Sequence, residues 1–322
     1  MKRRVLLSAI AAGVLGSVSA GSFAQSSEFP RKSITVICPW TAGGGTDVLL
    51  RALAREAEKH LGQSINVVNQ TGGAGAIGHN AIRAAVPDGY TVGMITFELN
   101  SLPPQGLVPF TYKDFDPLMR INVDPAALTV KKDAPYNTLK EFVEYAKSHP
   151  GEITIGNSAP GSVWHIAAGL MAEKTGVQVK HVPFDGAQPA VTALLGGHIK
   201  AVAVSVPEVR AQAQAGNLKI LGVMDTQRDE LFPAVPTFKE QGVDVEFYTW
   251  RGLALPKGVP ADIKLKLADA FKKAFDSREF KEFAAKASLN LSFQNAADFN
   301  KFLDQNFKDV DAVMKSLGLA KK

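Results

Sequence analysis

Ser33-Ile34-Thr35-Val36-Ile37-Cys38-Pro39-Trp40-Thr41-Ala42-Gly43-Gly44-Gly45-Thr46-Asp47 decides the fold. A short run rich in β-branched residues enters a turn with three consecutive glycines. Beyond it, residues 47–60 carry Leu49, Leu50, Leu53, Ala54 and Ala57 at helical spacing. A strand that passes through a glycine turn into a helix is the opening unit of an α/β protein.

The unit recurs downstream. Residues 65–68 predict a second strand, 76–85 a second helix and, after the turn Pro87-Asp88-Gly89, 91–96 a third strand. In the middle of the chain, helices are expected at 138–148, 163–174, 189–195 and 207–215. Thr138 is the N-cap of the first, with Glu141 three residues on, and Gly176 ends the second. Strands at 153–156, 179–182, 199–204 and 218–224 alternate with them. The end is helical: 260–275, with Pro260 at its start, then 277–287 and 296–317. The alternation predicts an α/β fold of two domains, each a mostly parallel sheet flanked by helices. Composition shifts near Asp124-Pro125 and across 247–252 place two chain crossings. They make 25–125 plus 249–322 domain one and 126–248 domain two, with a hinged cleft between them.

The start of the chain speaks to compartment. Lys2, Arg3 and Arg4 precede a nearly unbroken apolar run at 5–18, and small residues follow at Ser19, Ala20, Ser22 and Ala24. This order reads as a secretory signal peptide over 1–24, cleaved after Ala24 or Ala20, and implies a periplasmic protein. A membrane anchor is the other reading of the same run. No later apolar stretch approaches the length of a membrane span. Removing the three basic residues of the leader from 36 leaves 33 Lys and Arg against 31 Asp and Glu, a balance of +2. With no basic stripe, nucleic-acid binding is not expected. Cys38 is the only cysteine, so no internal disulfide can form, and its apolar setting reads as burial.

Three loops are rich in glycine or small residues: 39–47, 69–75 and 156–162. The first and third lie between a strand and a helix. There, close backbone approach and unpaired N–H groups make a seat for an anion. Two such seats face to face hold one small anion from both sides; a plain tight turn is the alternative for each. Thr46 and Asp47 read as stabilising their own helix. Gly73-x-Gly75-x-x-Gly78 matches a dinucleotide fingerprint, with Glu98 about 20 residues on. Export, the position in the second unit and the turn explanation for the glycines weigh against that role. Ser158 and His165 suggest an exported serine hydrolase, but Gly156-x-Ser158-x-Pro160 lacks the closing glycine of a nucleophile elbow. The remaining histidines have no metal-ligand spacing, and neither metal nor cofactor is expected.

Taken together, several segments resemble the Bug-type receptors of tripartite tricarboxylate transporters. They are 39–47, 69–78 with 87–91, 156–165, 182–190, Leu195-Gly196-Gly197-His198, 215–219 and Trp250-Arg251-Gly252 with 256–260. The resemblance spans nearly all of the mature chain. It implies the type II periplasmic-binding-protein fold, a Venus-flytrap closing on a mono-, di- or tricarboxylate and delivering it to membrane permease subunits, without catalysis. It implies a domain-one seat at Trp40, Thr41, Ala42, Gly43 and Gly44, and a domain-two seat at Ser158, Ala159, Gly161 and Ser162. Phe184, Asp185, Gly186, Ala187 and Ser205 are expected to line the same cleft. Trp40 stands where the family more often has Phe, and Trp164-His165 adds bulk and a titratable group beside the second seat. Glu98 follows a strand toward the cleft, and Arg251 is a candidate to help a highly charged ligand. A monomer is expected. A sensor docking on a membrane kinase is an alternative use of the same cleft.

Overall fold

The glycine turn joins a strand to a helix, as read. The computed structural model describes residues 29–321; the expected export segment at 1–24 lies outside them. The first unit is β1 (Ile34–Cys38) and α1 (Gly45–Leu61). Then come β2 (Ile65–Asn69), α2 (Ala76–Arg83), β3 (Thr91–Thr96) and a single turn of helix, α3 (Glu98–Ser101). A 17-residue strand, β4 (Phe115–Lys131), leads into α4 (Leu139–Ser148), β5 (Thr154–Asn157), α5 (Val163–Thr175) and β6 (Lys180–Pro183). Next are α6 (Ala187–Leu195), β7 (Ala201–Ser205), α7 (Val206–Gln214) and β8 (Leu218–Val223). The long β9 (Tyr248–Pro256), α8 (Ala261–Asp276), α9 (Arg278–Lys286), β10 (Leu291–Asn295) and α10 (Ala296–Ser316) complete the chain.

The strands pair in the order β2-β1-β3-β9-β4-β7-β5-β6, with β8 and β10 also on β4. The expectation of mostly parallel sheets holds at the two outer thirds only. β2, β1 and β3 run parallel, as do β6, β5 and β7. β4 and β9 pair antiparallel with each other and with their other neighbours. The reason is the path: these two strands carry the chain out of one half of the sheet and back, so they must run in opposite directions. Asp124 pairs with Thr249 and Pro125 with Tyr248, so both composition shifts fall at one level of this antiparallel pair.

One apolar cluster holds α1, α8 and α9 against β1 and β9, with Leu49, Leu50, Leu53, Leu253 and Phe271 fully buried. A larger one fills the other half and continues under β9 and α10, through Val202, Val204, Trp250, Phe299 and Met314. Pro117, Arg120 and Asn122 hid β4 by breaking its alternation. Its register shifts between Pro117 and Met119 and again between Arg120 and Asn122, as a strand does when it must absorb residues that do not fit the pleat. Among the described residues, no helix is long and apolar enough to cross a membrane.

Candidate functional site

The loop after β1 is folded by a carboxylate rather than by glycine alone. Asp47 accepts from Gly43 N–H at 3.0 Å and from Asn69 Nδ2 at 2.8 Å, and it pairs with Arg51 at 2.9 Å. Burial works to raise its pKa, but the bonds from Arg51, Gly43 and Asn69 outweigh it and hold the carboxyl low. Asn69 also donates to Trp40 O at 2.8 Å, tying the first loop to β2. Gly78 closes the arrangement from α2: a Cβ there would stand 2.7 Å from Pro39 Cα and Gln70 O. Gly73 and Gly75, like Gly72, have positive φ, so two of the fingerprint glycines make a turn and the third, Gly78, makes the close contact. Cys38 is fully buried; burial pushes its thiol up to about 12, and it donates to Trp40 O.

Trp40 Nε1–H donates to Thr96 Oγ1, which donates to Glu98 Oε2 at 2.7 Å. Glu98 Oε1 accepts from Val163 N–H at 3.1 Å, in the first turn of α5. Glu98 therefore ties the end of β3 to the helix of the opposite seat. At 1 % exposure it is held by groups of the protein on both oxygens, and burial pushes its pKa up. This is not the disposition of an acid waiting for a ribose.

His79 supports the same corner. It is fully buried, its Nε2 accepts from Thr96 N–H at 3.3 Å, and burial pushes its pKa down to about 3. The unfolded chain takes the proton first, near pH 6.5. The stability that neutral His79 contributes is therefore complete above that value and is lost as pH falls toward the depressed one. Between neutral pH and pH 5 the loss is about 2 kcal/mol. His79→Gln, compared with the wild type by urea unfolding at both pH values, is expected to remove that difference.

The third loop is locked by its own hydroxyls. Ser158 Oγ donates to Ser162 Oγ at 2.9 Å, and Ser162 Oγ donates to Ala159 O at 2.7 Å. Ala159 takes a φ of 109°, unusual for a residue with a Cβ and a mark of a constrained loop. His165 Nδ1 accepts from Gly161 N–H at 2.8 Å, and its ring packs edge-on against His181. Burial, reinforced by His181, pushes the pKa of His165 down to about 4. Ser158 and His165 make no hydrogen bond to each other, so the pair expected of a hydrolase is not assembled here.

A cavity lies where the first turns of α1 and α5 approach each other. It is lined by Trp40, Thr41, Gly44, Gly45, Thr46, Thr96, Glu98, Ser158, Val163, Trp164, Ala187, Glu208, Thr249 and Arg251. It encloses about 370 Å³ including its mouth.

Seven of the residues expected at the site are on this wall: Trp40, Thr41, Gly44, Glu98, Ser158, Trp164 and Ala187. Trp164 both packs in the core and lines the cavity. Gly186 is off the wall but brings its backbone to the first loop, where an added Cβ would lie 3.0 Å from Thr41 Oγ1. Ala42, Gly43 and Asp185 are exposed instead. Ala159, Gly161, Ser162 and His165 shape the third loop from behind its surface, Phe184 packs on the core beneath it, and Ser205 is buried at the start of α7.

The charges at the centre were mostly missed. Arg251, 1 % exposed, donates from Nε to Thr46 Oγ1 at 2.8 Å, from Nη1 to Asp124 Oδ2 and from Nη2 to Glu208 Oε1 at 3.4 Å. Thr46, read as serving its own helix, is thus a partner of β9. Glu208 Oε2 accepts from Gly45 N–H at 2.8 Å, so an acid of α7 sits on the first turn of α1. Burial pushes the pKa of Asp124 and of Glu208 up, and Arg251 opposes that shift in both. One spacing, Ser205-x-x-Glu208, was legible, but it is that of a helix cap and points away from this use.

Residues 49–319 match the model of a family described as the tripartite tricarboxylate transporter family receptor. The chain belongs to that family. BugT of Bordetella pertussis is 32 % identical over 86 % of this chain and 85 % of its own. A TctC solute-binding protein from Polaromonas, solved with no ligand, is 41 % identical over 89 % of this chain and 99 % of its own, with a TM-score of 0.66. Two proteins from Rhodopseudomonas palustris superpose more closely at 26 % identity. Rpa4515 with adipate covers 91 % of this chain and 99 % of its own at a TM-score of 0.87, and MatC with bound malate covers 88 % and 99 % at 0.82. The resemblance read from the glycine loops and the α/β reading both hold: this member of the receptor family has a mixed sheet covered by helices, as its structural relatives do.

Proposed function

We propose that this receptor is exported to the periplasm, closes two lobes on a small carboxylate and presents the closed form to membrane permease subunits, catalysing nothing. The lobes are 25–125 with 249–322, and 126–248; β4 and β9 cross between them at Asp124-Pro125 and Tyr248-Thr249. The observation that carries the reading is the cavity between the first turns of α1 and α5, in a fold shared with relatives that hold adipate and malate. Both helix starts offer backbone N–H groups and a partial positive charge, the requirement of an anion. The Polaromonas protein without ligand is nearer in sequence yet superposes less well than the two that hold ligand. A change in lobe placement about two crossing strands produces that pattern.

A thermal-shift screen of the chain from Gln25 onward tests this, with mono-, di- and tricarboxylates beside amino acids, sugars and nicotinamide nucleotides. A ligand at one hundred times its dissociation constant stabilises the folded state by about 2.7 kcal/mol. A shift confined to a carboxylate class is expected; a shift with sugars or nucleotides alone overturns the reading.

A further inference from the structure

We propose that Glu208 is this protein's own occupant of the seat for the ligand's carboxylate, and that an incoming carboxylate exchanges with it at Gly45 N–H and Arg251. The inference rests on the receptor reading for the identity of the incoming group, but the seat itself stands on the contacts in the structure.

Four observations carry it. First, the carboxyl of Glu208 does what a bound carboxylate would do. One oxygen takes the 2.8 Å bond from Gly45 N–H at the start of α1, and the other faces Arg251 Nη2 at 3.4 Å. Gly44, the N-cap of α1, has no side chain to cap that helix start, and Glu208 supplies the acceptor for Gly45 N–H that a capping side chain would have given.

Second, Glu208 comes from the other half of the sheet. It lies in the first turn of α7, whereas Gly45 and Arg251 belong to α1 and β9, so its contacts join the two halves of the chain. Only 4 % of its side chain is exposed.

Third, it has been turned away from a local role. Ser205-x-x-Glu208 has the spacing of a capping box, in which both side chains fold onto the start of their own helix. Here Ser205 is the N-cap without a side-chain bond, its Oγ is buried and unpartnered, and Glu208 reaches outward. A rotation of Glu208 back toward Ser205 gives it a second home.

Fourth, Glu208 shares the cavity wall with Gly44, Gly45, Thr46 and Arg251. A carboxylate arriving at Gly45 N–H and the guanidinium meets the Glu208 carboxyl already there. Arg251 is held by Thr46 and Asp124 as well as by Glu208, and Gly45 is main chain, which leaves Glu208 as the group free to move. Arg251 keeps Asp124 as a counter-charge when Glu208 departs. The seat then faces the newcomer with a guanidinium and a free N–H.

Chemical rescue tests this without knowledge of the natural ligand. Glu208→Ala removes the CH₂–COO⁻ that acetate replaces atom for atom. Rising acetate is expected to raise the melting temperature of Glu208→Ala saturably, by several degrees, while equal chloride does not. The wild type is expected to stay unmoved over the same range. If Glu208→Ala does not fold, Glu208→Gln serves: its acetate affinity is expected to exceed that of the wild type about tenfold, because a buried like charge has been removed. Equal acetate affinity in the wild type and the variant overturns the proposal. Rescue in a protein whose wild type binds no carboxylate in the wider screen would leave the seat intact and remove the receptor reading, so the two fail separately.

Discussion

Arg251→Met is expected to lower the free energy of unfolding by about 3–5 kcal/mol at neutral pH. The guanidinium is 1 % exposed and bonds Thr46, Asp124 and Glu208 at once. Methionine keeps much of the volume and removes the charge, which leaves two buried carboxylates facing each other without a cation. Asp124 retains bonds from Asn122 Nδ2 at 2.7 Å and Asn290 N–H at 3.0 Å, but these do not neutralise it. The sign of the pH dependence follows. Arg251 opposes the upward shift that burial gives both acids, so its loss raises their folded pKa values further above the unfolded ones. A carboxyl raised in the folded state costs stability as pH climbs from its unfolded value to its folded one. The deficit of the variant is therefore greatest at high pH and shrinks on acidification. Urea unfolding of both proteins across that range measures it; a deficit below about 1 kcal/mol at neutral pH would show that the charges are not coupled as described.

Gly45→Val is expected to fold and to lose ligand affinity by about a hundredfold, near 2.7 kcal/mol. A Cβ at Gly45 would lie 2.9 Å from Glu208 Oε1, 3.1 Å from its Cδ and 3.4 Å from Arg251 Nη2. The two closest atoms belong to the Glu208 carboxyl, the end of a side chain that can move, and 3.4 Å from the guanidinium is ordinary contact, so the core is spared. Valine is acceptable at this position because Gly45 does not take a left-handed φ. What valine fills is the seat. Its branched side chain stands where a carboxylate must meet Gly45 N–H and the guanidinium. Calorimetry gives the affinity and a melting curve gives the folding control. Wild-type affinity in Gly45→Val would move the ligand elsewhere in the cleft.

The parts of this molecule that could be read from its sequence are those whose cause is local. β1, its loop and α1 follow from β-branched residues, glycine and a helical repeat within a short stretch. α4 was readable from Thr138, which caps Glu141 N–H as its spacing suggests. β4 and β9 were not readable as strands. Pro117 and Pro125, with Arg120, Asn122 and Asp124 between them, look like a polar connection until pairing on both sides makes them a strand. The same limit applies at the site. Trp40, Thr41, Gly44 and Ser158, which line the cavity, lie in the glycine turns before helices that mark anion seats and were named through the family resemblance. Arg251 was singled out as help for a charged ligand, but Asp124 and Glu208 lie far from it in the chain and look like surface charges, and only the fold buries the three together. Asp47 was read as stabilising its own helix; it also folds the loop before that helix.

The most direct measurement is a calorimetric titration of the chain from Gln25 onward with malate, adipate and a monocarboxylate, each beside its neutral amide. Saturable one-to-one binding of at least one of these acids is expected, and none of the matching amide, as a proposed seat of N–H groups, a helix start and Arg251 requires. Binding of an amide as tight as that of its acid, or binding of the neutral compounds alone, would contradict it.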